Sequence, residues 1–175
     1  MAKICWSAEG ADMASVIQRA LGMHQKYGPG LSRDPRVRSL LDDYGQAIAQ
    51  TGQLTQDLGI PAFCMACATR DGVCCFAGVE RRYDEYLLLI NLLLGAPAAW
   101  EKSAGPTCYF CGPQGCTLLA KHSFCHNFFC AEIKQALGGA GMAAINRQVG
   151  LELSCQWELE RVLLPWLWAR EKQDL

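Results

Sequence analysis

The chain has 175 residues, half of them apolar and 19% charged, with a formal net charge of −1. That length supports one domain with a core of its own, and the composition excludes a disordered chain. No long basic run exists, so the broad positive footprint of phosphate-backbone binding is missing and nucleic acid is not an expected partner.

The N-terminus, Met1 to Ser15, has neither an apolar segment of signal-peptide length nor a cleavage-like site. From Ala11 on, Met13, Val16, Ile17, Ala20 and Leu21 fall at helical spacing, and Tyr27-Gly28-Pro29-Gly30 predicts the end of that helix. Asp34-Pro35 reads as an N-cap followed by proline at the first helical position. Val37, Leu40, Leu41, Tyr44, Ala47, Ile48, Leu54 and Leu58 then continue one face, with a stop expected at Gly59-Ile60-Pro61. A third helix is expected from Glu80 to Leu94, closed by Gly95 and Pro97. On it, Glu80, Asp84 and Glu85 read as a solvated face with Arg81 and Arg82 as counter-charges. A fourth helix begins near Phe128 or Cys130 and weakens at Leu137 to Met142. The last, about Met142 to Lys172, is kinked or restarted at Pro165. No stretch alternates for long like a half-buried strand. The expectation is an all-α single domain, 1–175, with two cysteine-rich loops between helices. The most apolar run, Tyr86 to Trp100, is too short to span a membrane, so no membrane partner is expected and the chain reads as cytoplasmic.

Eleven cysteines in a reducing compartment point to metal binding or redox chemistry before disulfides. Nine of them lie between residues 64 and 130, and they include two C-x2-C pairs, Cys64/Cys67 and Cys108/Cys111, and the adjacent Cys74 and Cys75. C-x2-C supplies two sulfurs from one tight turn, for zinc and for iron–sulfur clusters alike. Adjacent cysteines point apart and serve two centres more readily than one. Cys116, Cys125 and Cys130 supply the rest, while Cys5 and Cys155 read as buried small hydrophobes. Catalytic thiols are a lesser reading, with His122 and His126 the nearby imidazoles. His24, His122 and His126 read as surface or packed histidines rather than ligands.

The cysteine order resembles the YkgJ-type "CxxCxxCC" zinc- or iron-chelating proteins across Phe63 to Cys130. The stretches that carry the likeness are Cys108-Tyr109-Phe110-Cys111, Cys116-Thr117-Leu118-Leu119 and Lys121 to Phe128. This resemblance implies Cys64, Cys67, Cys74, Cys75, Cys108, Cys116, Cys125 and Cys130 as ligands, with Cys111, at an apolar position of the pattern, as a ninth ligand or a substitute. The gap between Cys67 and Cys74 is longer than the family's, and its Arg-Pro and following Arg are replaced. A similar cysteine region occurs in flagellin lysine-N-methylase, which implies methyl transfer as a weaker alternative.

Between metals, the Cys111-Gly112 turn suits zinc, while the aromatic flank (Phe63, Phe76, Tyr109, Phe110, Phe124, Phe128, Phe129) suits a solvent-excluded redox cluster. The expectation is two [4Fe–4S] clusters serving electron transfer or cluster handling with a protein partner, and zinc as the alternative. Trp157, Trp166 and Trp168 read as core, or else as a surface through which two copies pair.

Overall fold

The computed structural model describes residues 12–71, 75, 77–102, 107–112 and 115–172, with the backbone alone for 67–71. Among them the fold is almost wholly helical: α1 (Met13–Arg33), α2 (Pro35–Asp57), α3 (Ile60–Asp71), a 3₁₀ turn at Val79–Arg82, α4 (Glu85–Leu93), α5 (Ser123–Asn127) and α6 (Ala131–Glu171). Between α4 and α5 a short antiparallel pair, β1 (Cys111–Gly112) and β2 (Gly115–Cys116), sets Cys111 opposite Cys116.

Asp34 alone joins α1 to α2. Its side chain accepts from the N–H groups of Arg36 and Val37 at 3.0 and 3.1 Å, the N-cap that Asp-Pro predicts. α1 turns Val16, Ile17, Ala20 and Leu31 inward, and α2 turns Val37, Leu41, Tyr44 and Ala47. α1 packs on α4 and α2 on α6. α4 buries Leu87 through Leu92 without a break, as a helix apolar all round must. With the C-terminal half of α6 these form the main core. A smaller cluster, Ile60, Ile133, Ile145 and Val149, joins the start of α3 to the first half of α6.

Several expectations are corrected. Tyr27-Gly28-Pro29-Gly30 does not end α1, which continues to Arg33. The Tyr27 ring meets Trp166 edge-on, and a side chain at Gly30 would crowd that same indole, so packing on α6 outweighs the backbone bond that Pro29 removes. Gly59-Ile60-Pro61 ends α2 but begins α3, with Pro61 in a first turn where its missing N–H costs nothing. Cys64 and Cys67 are therefore helical rather than in a loop. The expected helix from Glu80 breaks at Tyr83, and α4 restarts with Asp84 accepting from the Leu87 N–H at 2.8 Å. Asp84 is thus a cap, Glu80 accepts from the Gly78 N–H, and Glu85 pairs with Arg19 at 3.3 Å. α6 kinks at Gly138 (φ 60°, ψ −171°), where the sequence weakens, but runs through Pro165 between the buried Leu163 and Leu167. Trp157 and Trp168 are half exposed. Among the described residues no helix is long and apolar enough to cross a membrane.

Candidate metal centre

The two cysteine segments meet through the backbone. The Cys108 N–H donates to the Cys75 carbonyl at 2.7 Å, and the Cys111 N–H donates to the Cys108 carbonyl at 3.0 Å, closing a turn. The turn enters β1, and the hairpin returns through Gly115, whose φ of 105° suits glycine. Thr117 fastens the far side, its N–H and hydroxyl both donating to the Phe110 carbonyl, at 2.9 and 3.1 Å.

Two buried polar residues carry this loop on the helices. Asn91, fully buried in α4, accepts from the N–H groups of Leu119 and Ala120 at 2.8 and 3.0 Å and donates to the Ala120 carbonyl at 2.9 Å. The Tyr83 hydroxyl accepts from the His122 N–H at 3.1 Å and donates to the Cys125 sulfur at 3.5 Å. Burial, and then Cys125, push the Tyr83 phenol well above its usual range. His122 caps α5, its Nδ1 accepting from the Phe124 N–H at 3.0 Å. That bond requires an unprotonated Nδ1, and burial followed by Arg82 lowers the His122 pKa in the same direction.

One cavity of about 500 Å³ is lined by Cys64, Cys75, Cys108, Cys111, Cys116 and Cys125. Its apolar wall includes Phe110, Leu118, Phe128 and Phe129. Burial pushes the Cys108 thiol up to about 11; a backbone bond at Phe110 opposes this, while Glu80, Cys116 and Cys125 add to it. Cys75 is pushed up to about 12 by burial, then by Cys111, Cys116, Cys108 and Cys125. Cys75 is exposed as a residue, so solvent screens part of that effect and buried Cys108 is the better reporter. Cys116 is raised by burial against the pull of a bond at Leu118 and of Lys121; it is solvent-accessible, yet protein crowds its sulfur. Burial thus favours the neutral thiol at Cys75, Cys108 and Cys116.

Cys130 lies outside this lining, at the N-cap of α6 against the smaller core cluster. Cys74 and the Cys67 side chain lie outside the described residues. Among the described residues no three His, Cys, Asp or Glu side chains stand close enough to hold a single ion; the thiols are distributed around the wall.

The same cavity holds a pair that sequence reasoning missed. His126 of α5 and Glu152 of α6 both line it, their side chains 8% and 1% exposed, with Nε2 and Oε1 2.9 Å apart. That is ion-pair distance without hydrogen-bond direction, and Nε2 and both carboxylate oxygens are left with no hydrogen-bond partner. A single histidine and a single glutamate 26 residues apart carry no motif. Only the helical face of Glu152, placed among Ile145, Val149 and Leu159, could have marked it as buried.

Comparison with protein-family models, with curated proteins and with solved structures finds no match for this chain.

Proposed function

We propose that the chain holds iron–sulfur clusters on the thiols of this cavity and serves electron transfer or cluster handling for a protein partner in a reducing, cytoplasmic setting. The observation that carries the reading is six cysteines, drawn from both segments, around one apolar-walled cavity. Six exceeds the four that a single tetrahedral ion or one cubane takes. Cys67 and Cys74 would bring the set to eight, enough for two [4Fe–4S] clusters, with Cys111 standing in for Cys130.

A bound cluster supplies one-electron chemistry. The chain's own residues supply the rest: the aromatic wall excludes water, and the Tyr83 hydroxyl donates to the Cys125 sulfur, a contact of the kind that tunes potential. Zinc is the second reading, favoured by one observation: the Cys108-to-Cys111 turn leads directly into a two-residue hairpin, as in closed thiolate sites.

Iron, sulfide and zinc analysis of anaerobically purified protein separates the two. Two clusters give about eight irons with as many sulfides per chain and a brown solution. Colourless protein carrying zinc and no sulfide overturns the reading.

A further inference from the structure

Beside the thiols, the cavity presents a donor set of a different kind. Glu152 is a carboxylate at 1% exposure whose two oxygens lack hydrogen-bond partners. Removing such a charge from water is costly unless a positive charge answers it. Among the described residues its one ion-pair partner is His126, which meets it off the hydrogen-bond direction. An ordinary buried ion pair would align the ring N–H with Oε1 and find a donor for Oε2. Here three adjacent buried donor atoms, Nε2, Oε1 and Oε2, face a cavity with nothing bonded to any of them.

A metal ion answers all three at once. Ligand bonds of about 2.0–2.2 Å to imidazole and carboxylate, meeting near a right angle, put the two donor atoms roughly 3 Å apart. The observed separation is 2.9 Å. We propose that His126 and Glu152 form a nitrogen–oxygen site for a divalent first-row transition ion within the thiol-lined cavity. Imidazole with carboxylate is a donor pair for such ions, whereas magnesium and calcium take oxygen alone. Since among the described residues no third donor side chain is in reach, water or a wall cysteine that turns inward completes the shell. The site does not depend on the iron–sulfur reading: whether a cluster loads does not decide whether this pair takes an ion.

The test is a cobalt(II) titration of the full chain, metal-free, reduced and anaerobic. Serine at Cys108, Cys111 and Cys116 together takes away half of the six thiols of the wall and so reduces their competition. In that background one cobalt per chain is expected to stay bound. Glu152→Gln and His126→Asn should each weaken it by more than the roughly 10–100-fold that loss of an outer-shell partner costs. Cobalt affinity unmoved by both substitutions overturns the proposal. A purely structural ion pair would instead show lower thermal stability in the metal-free variants with unchanged cobalt binding. Should the variants lose their helical circular dichroism, X-ray absorption at the cobalt edge of the wild type decides. Nitrogen and oxygen neighbours near 2.1 Å support the site, and an all-sulfur shell up to two equivalents overturns it. Iron and sulfide retained in Glu152→Gln together with lost cobalt would separate this site from the clusters.

Discussion

At the scale of single residues, Asn91 anchors to α4 the loop that lines the cavity. A buried amide in an otherwise aliphatic helix would be a liability, were it not for four backbone partners, including Leu119 and Ala120 of the loop that lines the cavity. Asn91→Leu keeps the volume and strands those loop groups, so a loss of about 3 kcal/mol is expected. Urea unfolding reads it as a lower midpoint with unchanged slope; an unmoved midpoint would contradict the anchoring role. Cys108 gives a pH dependence. Burial pushes its thiol from the ordinary 9.0 up to about 11 in the fold. Below pH 9 both states keep the proton and stability is flat. Between 9 and 11 the unfolded chain releases it first, so the metal-free protein loses stability as pH rises. On the proposed function, metal uptake would expel the same proton, so affinity should climb with pH. An unfolding midpoint constant across that window would remove Cys108 from the explanation.

Among the elements, α6 shows what was legible in the sequence and what was not. Its weak point at Leu137 to Met142 was visible as a glycine cluster, and the kink falls on Gly138. With φ 60° and ψ −171°, Gly138→Ala should cost about 1–3 kcal/mol from backbone strain alone, since open space surrounds the position. Gly139→Ala, one residue on in helical backbone and equally uncrowded, should gain about 0.5–1 kcal/mol. Opposite signs in thermal melts confirm the kink; equal effects refute it. The Asp34 cap was legible for a related reason, because its geometry is fixed within four residues. Pro29 misled as a stop and Pro165 as a kink because the decision is tertiary: Leu163 and Leu167 are buried, and Trp166 half-buried, on partners that no local window contains. Pro61 misled differently, being a helix start that looks like a stop. The site divides the same way. Cysteine spacing pointed to the thiols, whereas the His126–Glu152 pair exists only once α5 lies against α6.

Taken whole, the molecule has a gap at the junction of two cores. The cavity takes Val79, Tyr83, Phe110 and Leu118 from the main core and Ile60, Ile133, Ile145 and Val149 from the smaller one. Whatever binds there ties the two together, so loading raises the melting temperature by mass action. If metal is held there as proposed, stripping it should lower the melting temperature while far-UV circular dichroism stays helical, because α1 packs on α4 and α2 on α6 through protein contacts alone. Collapse of the helical signal on chelation would show that the bundle depends on its centre.

The kinked rod of α6 has one more effect, and it concerns light. Five residues beyond Glu152, about 7.5 Å along the axis, the helix carries Trp157, half exposed beneath the Arg161 guanidinium. Across the hairpin, Trp100 sits edge-on to Phe110 of the cavity wall at 5.8 Å. A coloured or paramagnetic centre bound as proposed would drain the excited state of indoles this near, so the chain would dim as it filled and brighten as it emptied. Such a centre would give the protein its own gauge of occupancy, readable in a cuvette with no label attached.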